Sequence, residues 1–199
     1  NDGGDVFSFL MKKEGWDFRE TLEHLARLSG VQLDPPNPQK DKQLKERARL
    51  SQLLTMISEY YHQLLCNSSV AQAAREHLKG RGIVHESWDV FELGYALPEW
   101  GALRRHCFEQ GYTDDDLVYI GMLVKKEDGK SFDRFRNRIM IPIRDPKGQV
   151  VGFGARAVDV DDVPKFMNSP QTDLFDKGAL LYGLDLANLA IREHGTSVL

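Results

Sequence analysis

Two apolar, β-branched runs, IMIPIRD (139–145) and QVVGFGARAV (149–158), are joined by Pro146, Lys147 and Gly148. Proline presets φ, glycine tolerates the positive φ of a tight turn, and Val and Ile pack well on a pleated surface. The spacing predicts an antiparallel hairpin with alternate members of 139–143 buried. It also constrains everything else, because the remaining chain must cover the hairpin's apolar side. A second turn signal, Asp128 and Gly129, places strands from about residue 122 onward.

Upstream of Gly121 the periodicity is helical. DVFSFLMKKEG puts Val6, Phe9 and Leu10 on one face, and Asp17 caps FRETLEHLARLSG, where Phe18, Leu22, Leu25 and Leu28 recur at helical spacing before Gly30. Three prolines in LDPPNPQK mark residues 35–40 as a linker. A long helix is predicted over 41–65, with Leu50, Leu53, Leu54, Ile57, Tyr61 and Leu64 as its core stripe. Ser69 caps a helix ending near Lys79. HESWDVFELGYAL and PEWGALRRHCFEQG read as short helices, Asp114 opens another, and a last helix covers roughly 183–194 before a strand starts at 196–199. The expected class is α+β: a helical N-terminal part, then a small, mainly antiparallel sheet with flanking helices.

With 199 residues and 41% hydrophobic content the chain can bury a core, which excludes wholesale disorder. No apolar run is long enough to span a bilayer as a helix, and the N-terminus lacks the basic and small-residue features of a signal peptide. Cys66 and Cys107 cannot build a disulfide scaffold, and neither has a nearby second cysteine for a zinc site. A reducing cytoplasm is the expected location. The chain starts without Met and stops on TSVL, so it reads as a piece of a longer protein.

Three motifs look like chemistry and are better explained otherwise. Gly152 to Ala157 matches GxGxxG/A, yet its glycines sit inside an extended run instead of opening a helix, so they point to a close backbone approach. Asp159 and Asp161 could hold Mg²⁺, or even serve a metal nuclease, but have no third acid at useful spacing and read as an exposed turn. Histidines 24, 62, 77, 85, 106 and 194 show no paired ligand spacing.

The stronger signal is charge. The whole chain is net −4, whereas residues 130–156 carry seven Lys and Arg against two Asp. Arg134, Arg136 and Arg138 alternate with Phe135 and Asn137, a spacing that places three guanidinium groups on one face of a strand. Arg156, Lys165, Phe166, Asn168 and Lys177 follow. Cations neutralise phosphates, an amide donates to phosphate or base, and a ring stacks. The pattern suits a nucleic-acid surface without catalytic groups of its own. An interaction domain whose basic strands meet an acidic protein is the rival reading.

RFRNRIMIPIRDPKGQVVGFGAR (134–156) and PKFMNSPQTDLFDKGALLYGLDLA (164–187) closely resemble the bacterial DNA primase family. LKGRGI (78–83) and LGYAL (93–97) match its lead-in, and residues 3–31 resemble the segment after its zinc-binding cysteines. The resemblance implies division into residues 1–34 following a zinc-binding domain, a linker at 35–40, the N-terminal basic subdomain of the RNA polymerase core at 41–195, and the start of a Toprim subdomain at 196–199. It implies a nucleotidyltransferase that makes RNA primers in the bacterial replisome. Zn²⁺ and Mg²⁺ or Mn²⁺ belong to other parts of such a protein, with no cofactor expected in this part. Its implied partners are single-stranded template, primer–template duplex, NTPs, a replicative helicase and single-strand-binding protein. Arg81, Arg156, Lys165, Asn168 and Lys177 fall on the family's basic groove. Phe166 stands where tyrosine is common, Gln171 where Glu is usual, and Asp176 where His is common.

Overall fold

The computed structural model describes residues 5–32 and 37–194. They form two compact units that divide between Leu44 and Lys45. In the first, Asp5 accepts from the Ser8 amide to cap α1 (Val6–Glu14), which stops at Gly15 with φ 71°. Asp17 and Glu20 form a reciprocal capping box on α2 (Phe18–Ser29), and Gly30, at φ 67°, ends it. The rings of Phe7 and Phe18 stack at 5.4 Å. The expected apolar stripe of α2 is only partly covered: Phe18 and Leu28 are exposed, while Thr21 and Ala26 are the buried positions.

Helix α3 (Pro38–Asn67) begins three residues before the sequence reading allows, which corrects the 35–40 linker. Asn37 accepts from the amides of Gln39 and Lys40, and Pro38 occupies the first helical turn, where its missing N–H costs nothing. Residues 33–36, within the proline-rich stretch, and the predicted strand at 196–199 lie outside the described residues.

In the second unit, Leu50, Leu53, Leu54, Ile57, Tyr61 and Leu65 of α3 are all buried. Ser68, one residue before the predicted cap, caps a 3₁₀ turn that leads into α4 (Gln72–Lys79). Then come α5 (His85–Val90), β1 (Gly94–Ala96), α6 (Ala102–Glu109) and α7 (Asp114–Tyr119). Thr113, with Asp116, makes the capping box of α7. The short strand β1 corrects the helical reading of GYAL. A Cβ on Gly94 would lie 2.5 Å from Cβ of Tyr61, so only glycine lets this strand lie against the backbone of α3.

Strands β2 (Leu123–Lys125) and β3 (Ser131–Asp133) form a two-stranded ladder around Gly129. The main sheet has the order β1-β4-β5-β6, all antiparallel, from β1, β4 (Arg138–Arg144), β5 (Val150–Ala157) and β6 (Phe166–Asn168). The predicted hairpin is β4–β5. Asp145 shapes its turn by accepting from the amides of Lys147 and Gln149, and Gly148 takes φ 81°. Met140, Phe153 and Ala155 pack with α3, α6 and α7, while Ile139 and Tyr95 pack with Leu78 and Trp88 of α4 and α5. Because helices cover both faces at β4, the consecutive residues Ile139 and Met140 are buried, which replaces the expected alternation. Helix α8 (Leu184–His194) closes the described chain.

Candidate nucleic-acid interface

On the outer half of the sheet, β5 and β6 carry the basic residues. Side chains two apart on a strand share a face, so Gly152, Gly154 and Arg156 line one side of β5. A Cβ at Gly152 would come within 3.0 Å of the Phe175 ring, and one at Gly154 within 3.4 Å of Oδ1 of Asn168. The GFG sequence thus serves close packing inside a strand, as its extended context implied.

Arg156 pairs in register with Phe166, and its guanidinium lies over that ring, 4.9 Å from the centroid; Lys165 Nζ is 6.0 Å from it. Phe166 is 59% exposed. From the C-terminal end of α4 come His77 and, two residues beyond the helix, Arg81. His77 Nε2 accepts from Nε of Arg156 at 3.0 Å and from Nε of Arg81 at 3.1 Å. One imidazole lone pair therefore holds two guanidinium groups. Burial, and then the charges of Arg156, Arg81 and Lys165, lower the His77 pKa and keep the ring neutral. Burial and the Arg81 charge also lower the Arg156 pKa. None of the ion pairs among the described residues involves Arg81, Arg156, Lys165 or Lys177. The result is three cations beside an exposed ring, with Asn168 two residues further along β6, opposite Gly154.

The arginine run behaves differently and corrects the expectation of one shared face. Residues 134–137 are not a strand, and Asn137 takes a left-handed φ of 50° that breaks the alternation. Arg134 Nε donates to the Gly121 carbonyl at 2.7 Å, Arg136 donates to the Asp133 carbonyl, and Arg138 donates to the Pro164 carbonyl at 2.7 Å. Arg136 also stacks on Trp100, 3.9 Å from the ring centroid. Arg138 is only 6% exposed, and burial lowers the pKa of both Arg134 and Arg138. These three groups satisfy backbone carbonyls at three separate places.

Lys177 is exposed in the turn after Phe175, and no hydrogen bond or ring contact among the described residues joins it to the Arg156 cluster. Asp159 is exposed in a turn and accepts from Asn137 Nδ2. His77 was invisible as a site residue in the sequence. The available signal was its position four residues before Arg81, which puts both on one side of a helix end.

These features describe an α+β domain whose small sheet is covered on one half and presents a basic, aromatic face on the other. Residues 60–188 match the family described as DNA primase catalytic core, N-terminal domain, and the chain belongs to that family. A DNA primase from Halalkalibacterium halodurans is 37% identical over 99% of this chain and 33% of its own length. The solved structure of the DnaG primase catalytic domain bound to ssDNA is 41% identical, with a TM-score of 0.67 over 74% of this chain and 47% of that one. The Aquifex aeolicus primase structure, comprising zinc-binding and RNA polymerase domains, is 31% identical, with a TM-score of 0.68 over 96% of this chain and 45% of that one. The chain spans about a third of the length of the curated primases it matches. No helix among the described residues is long and apolar enough to cross a membrane.

Proposed function

We propose that this domain guides single-stranded template, and the primer–template duplex, within a primase that synthesises RNA primers. Arg81, Arg156 and Lys165 neutralise phosphates, Phe166 stacks a base, and Asn168 donates to phosphate or base. Lys177 extends the path, while Arg134, Arg136 and Arg138 hold its scaffold. The observation that carries this reading is the convergence of Arg81, Arg156 and Lys165 beside an exposed Phe166 without a carboxylate partner. The relative solved with ssDNA supports it.

The parent reaction is attack of a primer 3′-hydroxyl on the α-phosphate of an incoming ribonucleoside triphosphate, with the bond to the β-phosphate breaking and pyrophosphate leaving. Such chemistry uses Mg²⁺ or Mn²⁺ held by clustered carboxylates. The described residues do not fit that metal pair: the group of His, Cys, Asp and Glu that comes together here is His62, Cys66 and Asp89, with a single carboxylate. No catalytic step is assigned to this chain, and alone it makes no primers; templated RNA synthesis by the purified chain with NTPs and Mg²⁺ would overturn that statement. NTPs, helicase and single-strand-binding protein are partners of the whole protein in this reading.

The test is the salt dependence of binding to a labelled single-stranded oligonucleotide. Each cation lost from the cluster should lower the log–log slope by about 0.7, the share of one single-strand phosphate contact. Unchanged affinity and slope in an Arg156→Ala, Lys165→Ala double variant would overturn the reading. Tighter binding to a polyglutamate peptide than to the oligonucleotide would favour an acidic protein partner instead.

A further inference from the structure

His62 and Cys66 lie one turn apart on α3, and Asp89 lies on α5 beside them. The three donor atoms are mutually within 4.8 Å. Two of the separations have the size of polyhedron edges. His62 Nε2 is 3.5 Å from Asp89 Oδ1 and 3.7 Å from Cys66 Sγ. Around a tetrahedral cation with bonds of about 2.0 Å to N and O and 2.3 Å to S, the ligand edges are about 3.3 Å and 3.5 Å. At 3.5 Å Nε2 and Oδ1 are not hydrogen-bonded to each other, so space remains between the two groups.

The surroundings orient these donors. His62 Nδ1 is 2.8 Å from the Leu93 carbonyl, which can only accept, so the proton sits on Nδ1. In the neutral ring the lone pair is then on Nε2, aimed at the space between Cys66 and Asp89. Ligating histidines characteristically have their other nitrogen fixed in this way. His85, one turn before Asp89 on α5, stands 3.4 Å from the other carboxylate oxygen, Oδ2, leaving Oδ1 to face His62. The Asp89 side chain is 57% exposed and that of His62 19%, so an ion has a route in and a partly sheltered seat.

We propose that His62 Nε2, Cys66 Sγ and Asp89 Oδ1 form a three-ligand site for a divalent cation of the zinc class, with water as the fourth ligand and His85 as a positioning residue for Asp89. The mixed N, S and O donors select Zn²⁺ over Mg²⁺ or Ca²⁺. On binding, the Cys66 thiol gives its proton to solvent and the thiolate bonds to the metal. The ion would tie the C-terminal half of α3 to α5 and, through Leu93, to the start of β1. The sequence concealed the site because neither helix alone carries more than two of these residues.

The experiment is titration of the full 199-residue chain, stripped with a chelator, with Co²⁺ and then Zn²⁺. One equivalent of Co²⁺ should produce a sulfur-to-metal charge-transfer band in the near ultraviolet, and Zn²⁺ should displace it and raise the melting temperature. Cys66→Ser should lose the band while Cys107→Ala keeps it. Asp89→Asn, at an exposed position, should weaken binding, and His85→Ala should do so by about tenfold with the band retained. The proposal is overturned if no band saturates near one equivalent, the result a plain His–Asp ion pair would give. It is also overturned if the band survives Cys66→Ser.

Discussion

Arg134, Arg136 and Arg138 sit within five residues, whereas Arg81, Arg156 and Lys165 come from three segments spread over 85 positions. The dense set is tied to the carbonyls of Gly121, Asp133 and Pro164. The scattered set meets at one histidine nitrogen and one exposed ring. Charge density along a chain therefore says little about charge available to a ligand. Carbonyls in turns and at strand ends, such as those of Gly121, Asp133 and Pro164, have no sheet-ladder partner, and the nearest guanidinium groups satisfy them.

The largest expected effect is on the dense set. Arg138→Met keeps the aliphatic stem and strands the Pro164 carbonyl, which should cost about 1–3 kcal/mol of stability by denaturant melting. Single-strand binding should stay near the parent value in the folded variant. If stability holds and binding falls instead, the two sets have been assigned the wrong way round. Phe166→Ala should show the opposite pattern: about 1–3 kcal/mol lost in binding, with an unchanged melting temperature, because the ring is already exposed. A variant that simply melts would make Phe166 a structural residue instead.

Salt dependence makes the distinction finer. Arg81→Ala, Arg156→Ala and Lys165→Ala should each remove about 0.7 from the log–log slope, and Asn168→Ala should weaken binding without changing it, since an amide releases no counterion. Lys177→Ala measures how far the path extends. The smallest effect concerns His77, whose folded pKa lies below its ordinary 6.5. The fold favours the neutral ring, so its contribution to stability is complete above 6.5 and is lost as pH falls through the lower, folded value. Melting temperatures across that window should fall more steeply for the parent than for His77→Gln.

The β4–β5 hairpin was legible because turn residues and strand periodicity agreed over the same stretch. The Asp17 cap and the helix start at Asp114 were legible because capping is local. Strand β1 was not: Gly94 to Ala96 are extended because β4 pairs with them and α3 presses against Gly94, both distant in sequence. Pro38 misled in the other direction, since proline breaks a helix interior but suits its first turn. Within the site, Arg156, Lys165 and Phe166 were readable from type and order. The fate of the three close arginines hung on Asn137, one of the residues that most readily takes a left-handed φ, and that tolerance was the missed warning.

The shared bond at His77 has a further consequence. Free arginine side chains wander, and a ligand that captures them must freeze them at about 0.5–1.5 kcal/mol each. Here the fold has already stilled two, and it has done so with an acceptor that carries no charge. A carboxylate in that place would have cancelled the field it was organising. A neutral ring restrains the two guanidinium groups and leaves their full positive charge turned outward.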